Sequence, residues 1–297
     1  MLAKLLDQLG LFLGHQVEKN HEAVYFLFLN NLLLSESRAS WDNPAPLQDF
    51  LKNRDAVDMT VRCLEADILS YRMYSYLGLR QYLRYRSLPR FDKPWGWKDP
   101  RNVFTLPLWL KIFPNAKIIY VVRNGVDVAR SLVVRERMLL AHQKKKFEGQ
   151  FDRFSRRTRL ERVGFNGSIV CSSLEGSFSL WEQYVSQAEA LLASIENDRL
   201  VIKYEDFLQN AVSRLSALVR FCGLAGVSQK TIGEAAEWVD VRRANTFISD
   251  PVLNRFHHTV KTSRWMVRYG YAGDPMPSDF ELSGRQFLTW REPVAAD

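Results

Sequence analysis

"KIIYVVRNGVDVARSL", residues 117–132, decides the architecture of this chain. Lys117 to Val122 open it with a near-continuous β-branched run, the pattern of a strand buried on both faces. "PNAK" just ahead is a turn, and "RNGVDVARS" just behind leads at once into a helix. Helix, turn, strand, turn, helix predicts α/β units on a parallel sheet. The order recurs downstream, where "RLVIKY" (199–204) reads as a second strand. The helix before it turns Phe178, Trp181, Val185, Ala188 and Leu192 inward. The helix after it turns Leu208, Val212, Leu215, Val219 and Cys222 inward and stops at Gly223.

Upstream the pattern is helical. In "MLAKLLDQLGLFLG" (1–14), Leu2, Leu5, Leu6, Leu9 and Leu13 fall at helical spacing and Gly10 supplies a stop. Asp7 and Gln8 interrupt the apolar run, which argues against a signal peptide. "AVYFLFLNNLLL" (23–34) is shorter than the ~20 residues of a membrane span. It reads as a buried helix from about Glu22 to Leu34, so no integral membrane segment is expected. Val57 to Arg84 reads as helical and rich in Tyr and Arg. "LPLWLKIF" (106–113) reads as a short helix with Pro107 near its first turn. A further helix is expected from Lys230 to Val239.

Of the 297 residues, 46% are hydrophobic and 25% charged, the balance of a globular chain with a core. The net charge of +8 favours an anionic ligand. Cys63, Cys171 and Cys222 are too far apart for a metal motif or a disulfide framework, so a cytoplasmic location is expected. The histidines lack metal-ligand spacing, and no metal is expected. Residues 144–162 hold eight basic against three acidic side chains. They form either a solvated helix or a collar that draws in an anion. The chain has no GxxxxGK[ST], which weakens a kinase-type reading.

Ligands of open α/β sheets sit beyond the carboxyl ends of the strands. Arg123 leaves the strand end there, and Ser131 follows about two helical turns later. The pair can grip one phosphate from two sides. Alternatively, Arg123 binds a carbonyl and Ser131 faces solvent.

"FPNAKIIYVVRNGVDVARSL" resembles the 3′-phosphate-binding segment of sulfotransferases that use 3′-phosphoadenosine-5′-phosphosulfate (PAPS). "VIKYEDF" followed by "LVRFCGL" resembles a second segment of that family, and "WGWKDPRN" resembles the KDPR stretch of its bacterial members. "ASWDNP", "LEGSFSLWEQY" and "SRWMVRYGY" extend the likeness over most of the chain. The resemblance implies a single domain over 1–297 with a three-layer P-loop-NTPase-like fold and a central parallel sheet. It implies sulfonate transfer from PAPS to a hydroxyl or amine of a small-molecule, carbohydrate or lipid acceptor, with no nucleic-acid partner. Arg123 and Ser131 then bind the 3′-phosphate, and Tyr204 lies near the adenine or supports its pocket. Lys98 contacts the sulfonate or bridging oxygen. Asp99 is either the general base or a turn cap before Pro100. Arg101 is either a further contact or an ion-pair partner. The family's RKGxxGDW segment has no match, so Arg243, beside Arg242, is a candidate for part of the 3′-phosphate grip. No histidine lies between His21 and His142, and His15 is a lesser catalytic candidate. The family's PKSGTT-type loop also has no match. The expectation is that this loop and the first strand lie upstream of Met1; the alternative is a catalytically inactive protein that binds a nucleotide or a partner.

Overall fold

The computed structural model describes residues 1–154 and 167–273. In chain order the helices are α1 (Leu2–Gln8), α2 (Val24–Glu36), α3 (Ala45–Lys52), α4 (Arg54–Leu69), α5 (Tyr74–Leu77), α6 (Leu79–Tyr85) and α7 (Asn102–Ile112). Strand β1 (Ile118–Val122) follows, then α8 (Gly125–Phe154), α9 (Leu174–Ser194) and β2 (Arg199–Lys203). The chain goes on through α10 (Tyr204–Gln209), α11 (Ala211–Phe221), α12 (Gln229–Ala236), α13 (Pro251–Val260) and α14 (Arg264–Arg268). β1 and β2 pair in parallel, because the crossover through α8 and α9 returns the chain in the same direction. The fold is therefore mixed α/β, mostly helical, with a small parallel sheet.

Among the described residues the sheet has two strands, and this corrects the reading of β1 as buried on both faces. Val122 is buried, Val121 is exposed and Ile118 to Tyr120 are half-buried. An apolar run shows that a strand can be buried, not how many neighbours it has.

The chain divides into two compact units. Met1–Val121 and Gln187–Arg243 build the first. Val122–Ser186 and the described residues from Ala244 onward build the second.

The first unit has an aromatic core. Phe26 stacks on Trp97 with centroids 4.0 Å apart, and Trp109 and Tyr76 meet Phe26 edge-on. In α4, Val57, Val61, Leu64 and Ile68 face this core at helical spacing. The Asn53 side chain caps that helix by accepting from the Ala56 N–H. The helix expected from Val57 to Arg84 is broken twice. Ser70 turns extended and caps the short 3-10 turn Tyr71–Met73, and Gly78 adopts a φ of +77°.

Other expectations shift in register. α7 starts at Asn102, so Pro107 lies inside it and not near its first turn. Its missing N–H is tolerated because Phe104, Leu106, Leu108 and Trp109 are all buried. Leu208 belongs to α10, which ends at Gln209. α11 then restarts the helical phase, which exposes Val212 and places Leu218 inward. The inward set of α9 is as read: Phe178, Trp181, Val185, Ala188 and Leu192 are buried. The basic segment 144–162 begins on α8, and residues 155–162 lie outside the described residues.

Candidate functional site

The turn from β1 to α8 is built by local chemistry. Asn124 caps α8 by accepting from the Val126 N–H at 2.9 Å. Gly125 is required next, since a Cβ there would lie 2.7 Å from the rings of Phe178 and Trp181. The Trp181 indole N–H donates to the Arg123 carbonyl at 3.1 Å, fixing the backbone at the strand end.

Asp127 then organises the side chains. It is fully buried and accepts from Arg123 Nη2 at 3.2 Å, Thr246 N at 3.2 Å, Thr246 Oγ1 at 2.7 Å and Phe247 N at 3.1 Å. The charge-assisted pair orients the guanidinium, and the Arg123 side chain as a whole is 28% exposed. Ser131 is exposed two turns along α8. Arg123 and Ser131 both belong to the second unit.

A second group of polar side chains lies in the first unit. Phe12 is clamped into the run ahead of Lys98: its N–H donates to the Pro94 carbonyl at 3.0 Å, and its carbonyl accepts from Gly96 N at 3.0 Å. The Tyr76 hydroxyl donates to the Gly96 carbonyl at 2.6 Å. Lys98 emerges from this anchor and donates to Glu22 Oε1 at 2.6 Å. Burial, then the charges of Lys98, Arg243 and Lys4, push the Met1 amino group below its ordinary value of 8.0. Tyr204, half-buried, opens α10 directly after β2, and α10 packs against the 3-10 turn Val241–Arg243. Arg242 is held by Asp240 at 2.8 Å.

Asp99 is placed differently from its neighbour Lys98. Its Oδ2 accepts from Asn30 Nδ2 at 2.8 Å and its Oδ1 from the Arg101 N–H at 2.9 Å. The side chain is 1% exposed, and Arg101 Nη1 lies 3.5 Å away. Burial raises the Asp99 carboxyl above its ordinary 3.8, against Arg101 and Asn30, which lower it. Asn30 also donates to Asn102 Oδ1 at 2.9 Å, and its own carbonyl accepts from Thr105 Oγ1 and Trp109 Nε1, each at 2.8 Å. Asp99 thus closes a buried polar network that ties α2 to α7. The exposed ring of His15 packs on Gly78, and the His15 backbone N–H donates to the Tyr76 carbonyl at 2.6 Å.

The sequence reading gave Glu22, Asp127 and Asn30 no part in a site. Glu22 carries no motif and meets Lys98 only through the fold. Asp127 had a local signal, an acid four residues after Arg123 at helical ion-pair spacing. Two shallow clefts, of about 420 Å³ by α11 and α12 and about 400 Å³ by Phe178 and Phe256, contain none of the predicted site residues. Among the described residues, no group of three or more His, Cys, Asp or Glu side chains is placed to hold a metal ion.

A family model described as "Sulfotransferase family" matches residues 29–228. The chain belongs to the sulfotransferase family. The match includes Lys98, Asp99, Arg123, Ser131 and Tyr204, while Glu22 and Arg243 lie outside it. No curated protein and no solved structure matches this sulfotransferase-family chain.

Proposed function

We propose that this chain is a PAPS-dependent sulfotransferase of bacterial type that acts on a hydroxyl or amine of a small-molecule, carbohydrate or lipid acceptor. The observation that carries the reading is Arg123. It stands at a strand end, is aimed by buried Asp127 and keeps part of its side chain exposed. An oriented, partly exposed arginine at a strand end, with an exposed serine two turns along the next helix, suits the 3′-phosphate. The matched span 29–228 runs through both units, which supports reading the chain as one sulfotransferase-like domain of the three-layer, P-loop-like kind.

PAPS, when bound, supplies the sulfonate. The chain's own groups do the rest. Arg123 and Ser131 hold the 3′-phosphate, Tyr204 flanks the adenine, and Arg243 adds positive charge. Lys98, 42% exposed, offsets charge on the departing phosphate oxygen as the sulfur–oxygen bond breaks and the acceptor's bond to sulfur forms. The acceptor proton goes to Glu22, the carboxylate beside Lys98. Asp99 has both oxygens occupied and is sealed from solvent, so we assign it to positioning Arg101 and α7.

Calorimetric titration with 3′,5′-bisphosphoadenosine tests the reading. Arg123→Ala weakens binding about ten- to a hundred-fold, ~1.5–3 kcal/mol for a charged hydrogen-bonded contact. Unchanged affinity rejects the assignment.

A further inference from the structure

Between Ile68 and Phe91 the chain carries Arg72, Arg80, Arg84, Arg86 and Arg90 and no Asp or Glu. All five arginines are exposed. The flanking acids are engaged: Asp67 accepts from Arg72 Nη1 at 2.8 Å and from Tyr25, and Asp92 accepts from the Tyr85 hydroxyl. The segment folds as the Tyr71–Met73 turn, α5 and α6, packed in series. Met73, Tyr76, Leu77 and Tyr85 fix its inner side in the core.

Its outer side is not the polar surface that a solvated helix pair requires. Leu79 and Leu83, one turn apart on α6, are 65% and 53% exposed. Tyr71 and Tyr74 are exposed as well. Arg80 and Arg84 sit next to the two leucines and are likewise one turn apart. The Arg84 guanidinium lies over the Tyr85 ring at 5.0 Å. Exposed Leu and Tyr interleaved with Arg, with no acid inside the run, suit an interface that is apolar at one depth and anionic at the next.

We propose that this face docks on an anionic bilayer, with the arginines at the lipid headgroups and Leu79, Leu83, Tyr71 and Tyr74 in the interfacial layer. Among the described residues no helix is long and apolar enough to cross a membrane, so the association is peripheral. The proposal is independent of the sulfotransfer reading.

Sedimentation of the full chain with vesicles tests it. Binding is expected to phosphatidylcholine vesicles containing phosphatidylserine and not to phosphatidylcholine alone, and salt weakens it. Each arginine replaced by Glu, starting with Arg80 and Arg84, lowers partitioning about five-fold or more. The pair Leu79→Ser and Leu83→Ser lowers it about ten-fold. A circular dichroism melt checks that each variant folds; if the leucine pair does not, Tyr71→Ser carries the same comparison. No binding to the mixed vesicles overturns the proposal. So does binding that needs the arginines but ignores the apolar substitutions, since that marks a polyanion such as nucleic acid or acidic polysaccharide.

Discussion

Lys98 Nζ and Glu22 Oε1 meet at 2.6 Å although 76 residues separate them. The Glu22 side chain is almost buried, whereas Lys98 is 42% exposed. A carboxylate tied to one partly open cation keeps acceptor capacity for a second proton donor. Glu22→Gln preserves the shape but removes the base. Turnover, followed as 3′,5′-bisphosphoadenosine release with a working acceptor, falls about 10²–10⁴-fold. Bisphosphoadenosine affinity stays the same. Undiminished turnover moves the base elsewhere.

Asn30 is a structural residue whose polarity is fully used. Asn30→Leu strands the Trp109 indole N–H, leaves the Thr105 hydroxyl only its longer bond to the Arg101 carbonyl and removes a partner of Asp99. Each orphaned buried group costs ~1–3 kcal/mol, so the variant loses about 2–5 kcal/mol in urea denaturation. Asn31→Leu, on the exposed side of the same helix, shifts the midpoint little.

Gly125 answers to space. Gly125→Ala places a methyl 2.7 Å from the Phe178 and Trp181 rings at the start of α8. Overpacking of this kind costs about 1–3 kcal/mol. Gly233, where a Cβ meets nothing within 4 Å, is the control: Gly233→Ala within α12 is neutral or stabilising. Equal melting temperatures for the two variants refute the steric account.

The raised Asp99 carboxyl links stability to pH. Its folded-state pKa lies above the ordinary 3.8, so just above that pH the folded chain holds a proton that the unfolded chain has released. Stability from this group is full below 3.8 and declines as pH rises through the folded-state value. Asp99→Asn removes that decline. Denaturation midpoints of the two proteins, measured from pH 3.8 upward, therefore differ by an amount that changes with pH and then levels off. A constant difference rules out linkage through Asp99.

Much of the local structure was legible because it depends on neighbours in sequence. Leu5, Leu6, Leu9 and Leu13 announce a buried stripe, and Gly10, at a φ of +103°, ends α1 as read. Gly223 ends α11 in the same manner. The two strands stand within a residue of their predicted bounds. The failures have different causes. At Ser70 a side-chain oxygen captured the backbone N–H two residues on, local turn chemistry that the helical reading passed over. At Pro107 tertiary burial outweighed a missing donor.

The candidate site divides along the same line. Arg123 at a strand end and Ser131 two turns into a helix follow from spacing alone, and the sequence by itself determined that turn from strand to helix, whereas the need for Gly125 comes from the distant rings of Phe178 and Trp181. The partners came only with the tertiary structure. Thr246 and Phe247 close on Asp127, Glu22 on Lys98, and Asn30 on Asp99. A local pattern records periodicity and turn chemistry. Which buried donor meets which acceptor across scores of residues is set by how the helices pack, because only packing removes the water that would otherwise satisfy them.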